Sequence, residues 1–215
     1  DEPDDINESQ IGIGEPSIFS EINGVYVISD GESPIIPITI KEDALHPTLT
    51  TGKIITINLP LGLRLQWPED VSSLNGLNSL IGIASVSDDR KQLLLPIINN
   101  FPANQEITIS DLAYTITYQC TSNQLELITS DSPNYVNNSD SKYYSVGQPT
   151  INFEKDQIFV LHDNNVPLGK IIFGESDYAG TATAQNHIQL TIPASMDSTI
   201  EWKNISLGAD NYSGS

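Results

Sequence analysis

The run Ile54-Ile55-Thr56-Ile57-Asn58-Leu59-Pro60 alternates apolar and polar side chains from Ile55 onward and stops at a proline. Alternation of this kind, rich in β-branched residues, puts every second side chain on one face and marks a half-buried strand. Proline lacks the N–H that a strand ladder uses, so Pro60 ends it. The same pattern recurs in Gln105-Glu106-Ile107-Thr108-Ile109 and Ala113-Tyr114-Thr115-Ile116-Thr117-Tyr118, and at 24–29, 35–41, 81–87, 92–98 and 125–129. Turn formers separate these runs: Asp30-Gly31, Ser87-Asp88-Asp89-Arg90 and Asn99-Asn100-Phe101-Pro102. No segment combines a 3.6-residue apolar period with helix caps, and residues 74–80 offer one short helical turn at most. Short strands at close spacing predict an all-β chain, a sandwich or a barrel.

The strand at 54–59 also belongs to a repeat. Displaced by 133 residues, Gly14 meets Gly147, and Pro16 meets Pro149. Ile18, Glu21, Val27, Asp30, Pro34, Ile38 and Glu42 meet Ile151, Glu154, Val160, Asp163, Pro167, Ile171 and Glu175. Thr48, Thr50, Ile55 and Pro60 meet Thr181, Thr183, Ile188 and Pro193. These are 13 identities over the 47 positions from Gly14 to Pro60, where chance gives about 3 at roughly one in 16 per position. Trp67 falls two residues out of step with Trp202. A period this long suits whole β-sandwich domains in tandem, not solenoid units.

The domain organisation follows. An acidic segment, 1–10, precedes a first repeat at 11–130. A polar tract at 131–146 reads as a linker, and 147–215 is a second repeat that is partial within this sequence. Counterparts of the strands at 81–87, 92–98, 106–109 and 113–121 are missing from it. Half a sandwich exposes an apolar face and open strand edges. Completion by a longer chain, of which this is a mature or excised piece, is favoured over completion by a neighbouring copy.

Composition narrows the function. With 28 acidic and 9 basic residues, the formal charge is −19. Nucleic acids and anionic membranes require clustered Lys and Arg, which argues against both as partners; neither nucleic-acid binding nor membrane insertion is expected. No apolar run approaches the ~20 residues of a membrane-spanning helix. Cys120 is the one cysteine, which excludes an internal disulfide and reads as a small buried side chain. His46, His162 and His187 show none of the zinc-binding spacings. Gly12-Ile13-Gly14 lacks the rest of a dinucleotide-binding loop, and Ser33 in Gly31-Glu32-Ser33-Pro34 reads as a turn, not a nucleophile. No nucleophile–base constellation can be placed, and the chain does not read as an enzyme.

Each unit opens with Gly-x-Pro, continues through a strand to an Asp turn, then Pro-Ile-Ile-Pro-Ile-Thr-Ile or Pro-Leu-Gly-Lys-Ile-Ile-Phe. A Thr-x-Thr, a strand ending in Leu-Pro or Ile-Pro, and a tryptophan follow. This order resembles the Ig-like or cohesin-like β-sandwich repeats of large prokaryotic surface proteins, those of surface layers, adhesins and fibres. Asp88-Asp89-Arg90-Lys91-Gln92-Leu93 is similar to a hairpin of such repeats, with Arg90 where glycine is usual. The resemblance implies tandem Ig-like β-sandwich domains, the second incomplete, and an extracellular or cell-surface location.

The expected function is therefore structural: a component of a surface layer or fibre whose partners are copies of itself or neighbouring domains of a longer chain. The alternative is an adhesin or carbohydrate-binding module with glycan as partner. Trp67 and Trp202 read as core or edge-of-core rings, with a sugar-stacking face the alternative; Tyr26, Tyr114, Tyr118, Tyr143 and Tyr144 are the further rings to inspect for that role. No cofactor is expected, with calcium the one candidate. Ca²⁺ takes 6–8 oxygen ligands, and Asp30, Glu32 and Asp163 are the candidate ligands because Asp30 and Asp163 share a repeat position. Glycosylation sequons stand at Asn7, Asn137, Asn204 and Asn211, about as many as chance provides.

Overall fold

The structure is a computed structural model. It describes residues 13–28, 31–130, 136, 138–156, 166–177, 179–181 and 190–191. Those residues are all-β: β1 (Ser17–Ser20), β2 (Gly24–Val27), β3 (Glu32–Pro34), β4 (Ile38–Lys41), β5 (Ile54–Asn58), β6 (Leu65–Gln66), β7 (Ser85–Val86) and β8 (Gln92–Pro96). Then come β9 (Glu106–Ile109), β10 (Ala113–Ile116), β11 (Cys120–Asn123), β12 (Glu126–Thr129), β13 (Asn138–Ser139), β14 (Tyr144–Gly147), β15 (Thr150–Phe153) and β16 (Ile171–Gly174). Two single 3-10 turns, Ser72–Leu74 and Leu77–Ser79, occupy the place of the expected helical turn.

The chain divides into two compact units. One comprises Asp1–Thr150 with Glu175–Thr181, the other Ile151–Gly174 with Ala182–Ser215. In the first, a five-stranded sheet runs β13-β12-β5-β8-β7, and three-stranded sheets run β1-β4-β9, β3-β10-β6 and β11-β14-β2. Alternation sets the register. Ile55 lies opposite Leu95 and Ile57 opposite Leu93. Leu127 pairs with Ile57 on the other side, and all five side chains are buried. In the β1-β4-β9 sheet, Ile40 sits between Ile18 and Ile107, and Ile38 pairs with Ile109. A slip of one residue would turn these isoleucines out to water.

Aromatic rings fill one region of this core. Trp67 packs on Tyr114 with ring centroids 5.0 Å apart, and Tyr26 and Tyr144 meet Tyr114 edge-on at 5.6 Å and 6.5 Å. Edge-to-face packing matches the quadrupoles of the rings and adds to the burial of their area.

Two features differ from the sequence reading. Residues 138–147, placed in a linker and at the head of the second repeat, supply β13 and β14 to the first unit. β14 lies between β11, antiparallel, and β2, parallel. The tract is polar, but Tyr144 and Val146 point inward, and Asp140 finds buried hydrogen-bond partners. The expected strand at 81–87 is also shorter than its apolar pattern. Only Ser85 and Val86 pair as β7, with Ile81 held by an isolated bridge to Ile97. Gly82, Ile83 and Ala84 between them are irregular. In the second unit the described residues form a two-stranded sheet of β15 and β16.

Candidate functional site

The sequence candidates fall in three groups. Asp30, Asp163, Asn7, Asn137, Asn204, Asn211, Trp202, His162 and His187 lie outside the described residues. Glu32 is exposed on β3, and among the described residues no three His, Cys, Asp or Glu side chains converge as a metal site would require. The aromatics divide. Trp67, Tyr114 and Tyr144 are fully buried and Tyr26 is nearly so. Trp67 is thus the core ring the sequence predicts, while Tyr26, Tyr114 and Tyr144, candidates for a binding face, are core as well because the rings pack on one another; Tyr118 and Tyr143 are the two that stay exposed. Cys120 is buried on β11, where its Sγ accepts the Arg64 amide at 3.3 Å.

A buried carboxylate organises the loop after β4. Glu42 is 1% exposed. Its Oε2 accepts the Thr48 amide at 3.0 Å and the Leu49 amide, while Oε1 accepts the Asp43 amide at 2.7 Å. The Thr48 hydroxyl reaches Oε1 at 3.4 Å. Bonds from amides to a buried anion contribute roughly 1.5–3 kcal/mol each. Gly14 lies against the same loop. A Cβ there would fall 1.7 Å from the His46 carbonyl oxygen and 2.7 Å from Thr48 Cγ2.

The same device recurs one period on. Glu175 Oε2 accepts the Thr181 amide at 2.7 Å and its hydroxyl at 2.8 Å. A Cβ on Gly147 would fall 2.3 Å from Thr181 Cγ2 and 2.7 Å from the Ala179 carbonyl oxygen. Each residue is the 133-residue counterpart of its equivalent: Glu42 and Glu175, Thr48 and Thr181, Gly14 and Gly147, His46 and Ala179. The strands repeat with it. Adding 133 to β1 and β4 gives 150–153 and 171–174, the bounds of β15 and β16. Several identities of the repeat are thereby explained: a glycine that admits a loop, and a glutamate that holds a threonine six residues later.

Basic residues are scarce and structurally used. Arg90 sits at φ +58, where glycine is favoured. Its Nε donates to the Trp67 carbonyl at 2.6 Å and its Nη2 to Thr115 Oγ1 at 2.7 Å. Those bonds give the arginine a role that glycine could not fill. Lys91 Nζ donates to the Leu63 and Leu65 carbonyls at 2.6 Å and 2.5 Å. Burial, then the Arg64 charge, lowers its pKa. The two neighbours together hold the segment from Leu63 to Trp67.

A second buried acid ties distant segments. Asp140 is fully buried. It accepts the Ser20 amide at 3.1 Å, the Ser20 hydroxyl at 2.6 Å and the Lys142 amide at 2.9 Å. Ser20 Oγ and the Tyr144 hydroxyl lie 2.6 Å apart. Desolvation keeps the buried phenols of Tyr26, Tyr114 and Tyr144 protonated well past the ordinary tyrosine range.

Exposed apolar side chains gather in two places. On the outer face of the β1-β4-β9 sheet, Phe19, Ile22, Ile35, Ile36 and Pro37 line a shallow groove with Glu21, Thr39 and Thr108. In the second unit Ile151, Phe153, Ile172 and Phe173 are 43–50% exposed.

No family model and no curated protein matches the chain. Among solved structures, it is similar to the 35 kDa C-terminal fragment of the major pilin GBS80 of Streptococcus agalactiae, at 15% identity and a TM-score of 0.38. That alignment covers 67% of this chain and 59% of the fragment, so the chain spans less than two thirds of the fragment's length.

Proposed function

We propose that the chain is a structural component of an extracellular surface layer or fibre, assembled through β-sandwich modules and without catalysis. The observation that carries this reading is the recurrence of one architectural unit. The same strand pair, glycine contact and Glu–Thr clamp appear twice at one spacing. Identities at those positions hold loops and strands, and their side chains are spent on backbone groups instead of a ligand. The acidic surface keeps such modules hydrated and apart except at shaped contacts.

Immunogold labelling of intact source cells, paired with mass analysis of the extracted antigen, tests the reading. Label on the cell exterior, in assemblies much larger than 23.5 kDa, is expected. A cytosolic, monomeric antigen would overturn it. The adhesin alternative rests on the exposed rings of Tyr118 and Tyr143. Selective binding on a glycan array that is lost in Tyr118→Ala and Tyr143→Ala would favour it over a purely structural role.

A further inference from the structure

The first repeat shows what a β4-type strand carries on its other side. β4 pairs with β1 along one edge and with β9 along the other, with Ile38 opposite Ile109 and Ile40 opposite Ile107. The Glu42 amide donates to the Gln105 carbonyl, which places the Ile38 and Ile40 backbone groups on the β9 side. In the second repeat the Glu154 amide donates to the Lys170 carbonyl. By the same alternation, Lys170, Ile172 and Gly174 face β15, while Ile171 and Phe173 face away from it. β15 is the one neighbour of β16 among the described strands.

We propose that the outer edge of β16 is an acceptor for one antiparallel strand of the β9 pattern, with isoleucines at alternate positions as at Ile107 and Ile109. This deepens the assembly reading above and rests on it. An added strand supplies ladder bonds to the Ile171 and Phe173 backbone, and its alternate side chains supply the fit. In the β4–β9 register Ile109 lies opposite Ile171 and Ile107 opposite Phe173. The apolar pairs that bury Ile38 and Ile40 in the first repeat are thereby rebuilt, and the half-exposed Phe173 is covered. The contact continues an interface already present in the molecule, that of β4 with β9.

Amide hydrogen exchange resolved by NMR on the whole 215-residue protein is the test, with a peptide of residues 104–112 as probe. The Ile172 amide is the internal reference, since β15 holds it. In the free protein Ile171 and Phe173 should exchange fast. The peptide should slow both saturably by at least about tenfold, a scrambled peptide should not, and Phe173→Pro, which removes one of the two donors, should abolish the slowing at Ile171. No slowing, or equal slowing by the scrambled peptide, would overturn the proposal. So would protection of both amides in the dilute protein alone, or protection that grows with protein concentration without peptide, which would make a second copy the occupant. None of these outcomes touches the cell-surface labelling, so the two readings fail separately.

Discussion

At Glu42 one carboxylate accepts the amides of Asp43, Thr48 and Leu49. Glutamine can accept only through its single carbonyl oxygen and turns an NH₂ toward donors. Glu42→Gln should therefore lower stability by about 2–4 kcal/mol, read by urea unfolding. Gly14→Ala and Gly147→Ala force a Cβ against a carbonyl oxygen and a threonine methyl, and each should cost about 1–3 kcal/mol. Gly62→Ala is the control, since its nearest atom is 3.5 Å away, and should stay within about 0.5 kcal/mol. Arg90→Ala loses two bonds from a guanidinium and should cost about 1.5–3 kcal/mol. Arg90→Gly loses the same bonds but recovers roughly 1 kcal/mol of left-handed backbone strain, so it should be the more stable of the two. The reverse order would contradict the strain argument. The sequence shows these positions recurring but not their work. An identity at fixed spacing marks a constrained site; which atom it faces depends on where the loop folds back.

At the scale of elements, period-two runs such as Ile55/Ile57 and Leu93/Leu95 could be read directly, because burial of one face writes itself into alternate residues. β13 and β14 could not. Asn137-Asn138-Ser139-Asp140-Ser141 has the composition of a loop, and Asp140 becomes intelligible only beside Ser20, 120 positions away. Asp140→Asn exposes the point. It sets an amide NH₂ among donors from Ser20, Lys142 and Tyr144, and should destabilise the protein by about 1–3 kcal/mol. Equal stability of the asparagine variant, by thermal melting, would show that the carboxylate does not hold β14 to β1. The candidate site divided in the same way. Trp67 reads as a core ring from sequence, but tyrosines on strands suit a binding face as well as a core, and the ring contacts assign Tyr26, Tyr114 and Tyr144 to the core.

The whole molecule should be most stable between acid and alkali, and the sign follows from its shifted groups. Asp43 is held below the ordinary carboxylate value of 3.8 by the amides of His46 and Leu45, Asp70 by Ser72, and Asp89 by the Ser87 hydroxyl and the Lys91 amide. Their contribution is present above that value and is lost as pH falls through the lower folded values. The buried tyrosines run the other way. Desolvation raises Tyr26, Tyr114 and Tyr144 above 10.0, so their contribution is present below that value and is lost as pH climbs toward the raised ones. Midpoints of thermal unfolding should fall below about pH 4 and above about pH 10, with tyrosinate absorbance rising together with unfolding. A melting temperature that holds or rises from pH 9 to 11 would refute the alkaline arm.

The central claim is that residues 150–174 rebuild the strand pair of 17–41 in the same register. Solution NMR of the intact chain tests it most directly, through Hα–Hα contacts between β15 and β16. Antiparallel strands bring these protons together at the non-hydrogen-bonded pairs. The account predicts contacts of Ile151 with Phe173 and of Phe153 with Ile171, matching Ile18 with Ile40 and Ser20 with Ile38. Contacts displaced by one residue, or none between these segments while those of β1 and β4 are present, would contradict it.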